Sequence, residues 1–281
     1  MGIVAGIDIG GSTTKIAGFR DGRRLQPVQI SANNAIASLF GAFGKFLYDN
    51  HLNLEDISQV NLTGVGSSGV NQSIYGLPTF KVDEFTANGV GGGYFAQGAE
   101  EFMVVSMGTG TSFVRVKEGI PGHLGGIGIG GGTIVGLSKL MLNTNDIDKI
   151  QEMAAEGNVG KIDLRIGDIS KEPLPGLDLD ITASNFGKSS SRATDEDKAA
   201  GIVHMVLESI CQTAVLISQG MDLKDFVLIG SLTNFPEIEG ICRLIKTMYP
   251  DVNFIVPEDG EFATAIGAAL AEQCCLKPVT A

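Results

Sequence analysis

Gly6–Gly18 reads GIDIGGSTTKIAG, and the reading of this stretch decides the fold. An apolar run reaches Gly10–Gly11 and an alternating run leaves it. A phosphate loop of the G-x-x-x-x-G-K-[ST] kind leads into a helix. Here Lys15 follows Gly11 by four residues, and the continuation TKIAGFRDGRRLQPVQI alternates as strands turning at Asp21-Gly22. The glycines therefore join two antiparallel strands. The order strand, glycine turn, strand returns at Val104–Val116, VVSMGTGTSFVRV. This weak internal duplication predicts two lobes of similar build facing each other over a cleft.

Between and after these hairpins the spacing predicts helices at Asn34–Leu52, at Phe85–Gln97 behind the acids Asp83 and Glu84, and at about Asp195–Gln219. A further helix starts near Thr133, after the glycine-rich turn GGIGIGGGT. Strands are predicted at Ile57–Gly66 and from Asp225 into the turn at Gly230-Ser231, and a last helix closes the chain. Residues from about Asp146 to Ser191 mix short helices and loops, with Pro173 and Pro175. The boundary between the lobes is drawn as 1–99 and 100–281.

The 281 residues are 43% hydrophobic, which suits a packed protein rather than a disordered one. A net charge of −12, with no Lys/Arg cluster to offset it, argues against a nucleic-acid partner. It does not argue against a single nucleotide, which backbone N–H groups bind locally. Cys211, Cys242, Cys274 and Cys275 form no C-x-x-C pair, so buried or idle thiols in a reducing cytoplasm are expected. No signal peptide is read at the N-terminus. The apolar window His123–Leu142 is too rich in glycine to span a membrane.

Seven segments, GIDIGGSTTKI, VDEF, MGTGTS, GGIGIGGGTIVGL, DITASNFGK, VLIGS and GEFATAIGAAL, occur in this order over nearly the whole chain. In this order they resemble the type II pantothenate kinases. The resemblance implies an α/β, two-lobed actin-like ATPase (ribonuclease H-like) fold with mixed sheets flanked by helices. It implies ATP with Mg²⁺, pantothenate as the small-molecule acceptor, coenzyme A synthesis as the setting, and a cytoplasmic homodimer. The helix from about Asp195 to Gln219 is a candidate dimer interface.

The residues fit phosphoryl transfer. Gly10, Gly11, Ser12 and Thr13 can aim N–H groups at phosphates, and Lys15 adds a mobile point charge. Asp8 supplies an oxygen ligand for Mg²⁺. Thr109 and Gly110 form the facing loop, and Gly131, Gly132 and Thr133 open a helix N-terminus toward the nucleotide. Ser231 stands on the adenosine side. Glu84, just before a helix, maps to the family's glutamate base, with Asp83 beside it as the rival. Thr182 and Ala183 resemble the segment that reaches the acceptor pocket, in the family from the partner subunit. Where the family has an arginine touching the acyl substrate, this chain has His123, which cannot make an arginine's bidentate grip. Either Arg115 or Lys117 compensates, or the acceptor is another alcohol, such as a pantothenate-like amide or an amino sugar. A non-kinase ATPase of the same fold, such as a reductive-dehydratase activator, is the remaining alternative.

Overall fold

In the computed structural model, which describes residues 2–31, 34–170, 172, 178–221 and 223–279, β1 (Ile3–Ile9) and β2 (Thr13–Arg20) run antiparallel about the Gly10–Gly11 turn. Asp8 lies opposite Lys15 in this ladder. β3 (Arg23–Arg24) and β4 (Val28–Ser31) both pair with β2. Then come α1 (Ala35–Asp49), β5 (Ile57–Thr63) parallel to β1, β6 (Thr79–Lys81) parallel to β5, and α2 (Glu84–Phe95). Ile3, Ile7 and Ile9 are fully buried with Leu39, Phe43 and Phe46 of α1, so one apolar core binds this sheet to its helix.

The second sheet repeats the plan with β7 (Glu101–Met107), β8 (Thr111–Lys117) and β9 (Ile120–Ile127) as an antiparallel run. α3 (Gly131–Leu142) and α4 (Ile147–Glu156) follow. The ribbon of β10 (Leu164–Arg165) and β11 (Thr182–Ser184) has the single turn α5 (Ile166–Ile169) between its strands. α6 (Asp195–Ser218) leads to β12 (Asp225–Ile229), parallel to β7, then α7 (Glu237–Met248) and β13 (Asn253–Ile255). α8 (Ala263–Leu270) packs on β1 and β2, and β14 (Lys277–Pro278) pairs with β6. The end of the chain thus returns to the first sheet.

The strand orders are β14-β6-β5-β1-β2-β3, with β4 also on β2, and β13-β12-β7-β8-β9. In each, the first strand of a glycine hairpin sits between its antiparallel partner and a parallel strand, which is the duplication the two hairpins predict. The expected turn before the third helix is in part a strand. Gly125 and Gly126 belong to β9, which pairs with β8 through a register shift at Leu124, and Gly125 takes there a φ of +144° that favours glycine. The helix itself begins at Gly131, two residues ahead of Thr133. Pro173 and Pro175 lie outside the described residues.

α6 is long and apolar enough by composition to cross a membrane, but Ile202, Val203, Val206, Leu207 and Ile210 are fully buried in the core shared with β7 and β12. Its apolar face is therefore covered by its own chain.

Two glycine contacts fix the floor between the sheets. α2 carries Gly89, Gly91, Gly92 and Gly93, each about 1 kcal/mol less favourable in a helix than alanine. The helix forms because it touches α8 backbone to backbone. A Cβ at Gly91 would fall 1.9 Å from the Ala263 carbonyl oxygen, and one at Gly267 would fall 1.8 Å from that of Ala87. Asp83 starts α2 as its N-cap, accepting from the N–H groups of Phe85 and Thr86 at 3.0 and 3.1 Å. That capping task separates Asp83 from its neighbour and leaves Glu84 free to face the cleft.

Candidate active site

The two hairpin turns face a cavity of about 660 Å³, within the size range of small-molecule sites. Gly10, Gly11, Ser12 and Thr13 line it from the first turn, and Thr109 and Gly110 from the second. Asp8, Lys15 and Glu84 line the same space, together with Gly131, Gly132 and Ser231. Residues from both sheets, and from 8 to 231 in the chain, are brought to one place.

The charged groups sit in low-dielectric surroundings. Burial pushes the Asp8 carboxyl above the usual carboxylate range, against the pull of Lys15. A Cβ at Gly64, whose φ is +83°, would fall 2.4 Å from Asp8 Oδ1, so only glycine leaves that carboxylate its room. Lys15 is 4% exposed and donates through Nζ to Ser231 Oγ at 2.8 Å. Burial lowers its pKa, while the charges of Asp8 and then Glu261 hold it up. Glu84 is raised by burial first, then by Asp8 and Asp83. A lysine between carboxylates, facing a cavity floored by bare backbone, suits an anionic ligand with a cation beside it.

The loops differ in what they still offer. Gly11, Ser12 and Thr109 donate no backbone N–H bond among the described residues. The N-terminus of α3 is otherwise engaged: Gly131 N–H donates to Gly108 O at 2.8 Å and Gly132 N–H to Thr109 O at 2.9 Å. The expected anion site at that helix end is thus tied to the second hairpin turn. A Cβ at Gly130 would meet Thr109 O at 2.6 Å, which shows how closely the two segments approach. Thr133 accepts from Gly130 N–H and donates to Gly128 O, both at 3.1 Å, and does not line the cavity.

His123, Thr182 and Ala183 also stand outside it. His123, on β9, stacks on Phe85 with ring centroids 3.7 Å apart and planes 14° apart. Arg115 forms an ion pair with Glu101, and Lys117 Nζ lies 3.5 Å from the same carboxylate. Both cations that could stand in for an arginine are therefore occupied. Thr182 and Ala183 lie on the β10–β11 ribbon, held down beside α6 where Phe186 N–H and His204 Nδ1 reach the buried Asp163 carboxylate at 2.8 and 2.9 Å.

Sequence reasoning passed over Gln29, Asp148, Gln151, Asn234 and Thr264, which line the cavity. Thr264 was within reach, since it lies inside the motif GEFATAIGAAL. Gln29 and Gln151 sit on amphipathic elements with nothing local to mark them.

Known proteins extend this picture. A profile of the Fumble family matches residues 94–239. The type II pantothenate kinase of Bacillus cereus (strain G9842) is 30% identical over 274 residues, covering 94% of this chain and 97% of that one. The chain belongs to the type II pantothenate kinase family. The family's enzyme from Staphylococcus aureus (strain USA300) is 29% identical over 283 residues, 95% of this chain and 99% of its own. Among solved structures, the activator of the 2-hydroxyisocaproyl-CoA dehydratase from Clostridium difficile with bound ADPNP superposes with a TM-score of 0.68 at 18% identity, covering 95% and 93% of the two chains. A ROK family glucokinase from Streptomyces griseus, in complex with glucose and AMPPNP, gives 0.58 at 14%, covering 95% and 98%. At these identities they share the fold, the two-lobed ATPase architecture expected from the hairpins.

Proposed function

We propose that this protein transfers the terminal phosphoryl group of ATP to the primary alcohol of pantothenate, the first step of coenzyme A synthesis. The observation that carries the reading is the convergence of Asp8, Lys15 and Glu84 on one cavity between two glycine hairpins. In-line transfer needs a carboxylate at the acceptor hydroxyl and positive charge at the transferring group. Glu84 has the place and the burial of that base. Held above the ordinary carboxylate range, it is the better proton acceptor once ionised. Lys15 and the free N–H groups of Gly11, Ser12 and Thr109 stabilise charge on the phosphates. Each of the two sheets supplies one hairpin, and closure of the lobes built on them would exclude water.

Mg²⁺ fits at Asp8. The donors there are oxygens, the carboxylate is buried, and Thr63, opposite Asp8 in the β1–β5 ladder, has a buried hydroxyl without a partner. The bound ion would neutralise phosphate charge. We place the enzyme in the cytoplasm as a homodimer, in which Thr182 and Ala183, standing outside their own subunit's cavity, serve the partner's acceptor pocket.

One observation favours a second acceptor. With His123 stacked on Phe85 and Arg115 and Lys117 paired to Glu101, no free cation among the described residues stands where the family arginine does. A pantothenate-like amide, neutral at its far end, suits that environment better than a carboxylate.

The test is ATP consumption with Mg²⁺, with and without pantothenate, in the wild type and Glu84→Gln. Pantothenate should stimulate turnover, and Glu84→Gln should reduce it by about 10²-fold or more. Nucleotide binding without stimulation by pantothenate would leave the fold standing and remove this acceptor. N-alkyl pantothenamides, run in parallel, decide between the two acceptors.

A further inference from the structure

Asn88 lies one turn after Glu84 on α2, at the i+4 spacing that stacks two side chains on one helix face. It is fully buried. Its Oδ1 accepts from Thr264 Oγ1 at 2.8 Å, and Thr264 lines the cavity from the first turn of α8. Its Nδ2 is buried with no hydrogen-bond partner. An unmet buried amide donor is destabilising by about 1–3 kcal/mol, so its retention calls for an explanation.

The surroundings supply one. Ala87, Asn88 and Gly91 face α8, with the backbone contacts of Gly91 to Ala263 and of Gly267 to Ala87 holding the helices together, and Glu84 continues that i, i+3, i+4 stripe to the cavity. The hydroxyl of Thr264 occupies the carbonyl side of the Asn88 amide and fixes which side carries the unmet NH₂ group. On this face the acceptor of matching polarity is the Glu84 carboxylate, one turn toward the cavity. An amide N–H aimed at a carboxylate fixes its rotamer and leaves its second oxygen for the acceptor alcohol.

We propose that Asn88, oriented by Thr264, is a positioning residue that holds the Glu84 carboxylate in its proton-accepting geometry once the nucleotide is bound. The proposal rests on Glu84 being the base. It assigns Asn88 no contact with substrate. Its effect belongs to the chemical step rather than to nucleotide binding.

The experiment compares Asn88→Ala, Asn88→Asp, Thr264→Val and Thr264→Ser in the full-length enzyme, with thermal melts to establish folding. Steady-state turnover is measured with MgATP and pantothenate, and AMPPNP affinity by calorimetry in the absence of acceptor. Both Asn88 variants should lose about 10–100-fold in kcat, with KM for MgATP and AMPPNP affinity within about twofold of wild type. Thr264→Val should lose kcat, and Thr264→Ser, which keeps the hydroxyl, should recover it. A folded Asn88→Asp enzyme with kcat within threefold of wild type overturns the proposal, as does an equal loss in Thr264→Ser and Thr264→Val. If the wild type does not turn over pantothenate, the functional reading fails by itself. The positioning claim is then decided by a crystal structure with Mg²⁺ and AMPPNP. It stands if Asn88 Nδ2 lies within 3.2 Å of a Glu84 oxygen, the range of an N–H···O bond, and falls if it does not.

Discussion

Gly267→Ala tests whether the catalytic floor depends on helix contact. The new Cβ would sit 1.8 Å from the Ala87 carbonyl oxygen and 2.6 Å from Gly91 N, where real Cβ atoms keep at least 3.0 Å. Relief of the first contact requires 3.0 − 1.8 = 1.2 Å of separation between α2 and α8. Ala87 is three residues from Glu84, so that movement reaches the base almost undiminished. Overpacking of this kind is destabilising by about 1–3 kcal/mol, offset by about 1 kcal/mol of improved helix propensity. Because both contacts are backbone atoms, the net loss is at the upper end, about 2 kcal/mol or more, a fall in Tm of several degrees for a chain of this size. A misplacement near 1 Å lowers the chemical step by about 10²-fold. The signature is therefore a large loss of kcat in an enzyme that is still folded below its lowered Tm, measured by coupled ATP turnover and calorimetry. Gly93→Ala is the control, since its nearest neighbour would be Phe102 Cζ at an ordinary 3.6 Å; it should leave turnover unchanged and hold or raise Tm. A folded Gly267→Ala enzyme with kcat within threefold of wild type would refute the reasoning.

Two further outcomes follow from single contacts. Ser231→Ala removes the neutral partner of the buried Lys15 ammonium and one link between the sheets; the ligand-free protein should lose about 1.5–3 kcal/mol of stability. MgATP, by giving Lys15 phosphate oxygens, should then raise Tm more in the variant than in the wild type, and an equal rise in both would show that Lys15 does not change partners. Asp197 is held down to about 2 by the N–H of Thr194, then by that of Asn158 and by Lys161. A depressed carboxylate contributes stability that is full above its unfolded value near 3.8 and is lost as pH falls toward about 2. Tm should therefore fall less steeply below pH 4 in Asp197→Asn than in the wild type, and parallel curves would remove Asp197 from the acid response.

The sequence by itself determined the two hairpins. Gly10–Gly11 and Gly108–Gly110 stand between apolar runs of period two, and that local pattern suffices to place antiparallel strands, a backbone turn and the acid and lysine beside it. It also marked α2 and α6 and set Glu84 at a helix start. Only the tertiary structure decided how these pieces meet. That Gly125 and Gly126 continue a strand comes from their pairing with β8, a partner that the glycine run does not name. The α3 N-terminus looked open to an anion, yet its N–H groups bond to Gly108 and Thr109, a contact between segments more than 20 residues apart. The sequence mapped the base to Glu84 with Asp83 as its rival, and the cap geometry gave Asp83 to the helix and Glu84 to the cavity. Thr264 and Asn88 share a hydrogen bond across 176 residues of chain. Local periodicity reports which face of an element is apolar; which polar group on that face finds a partner depends on what the rest of the chain brings within 3 Å.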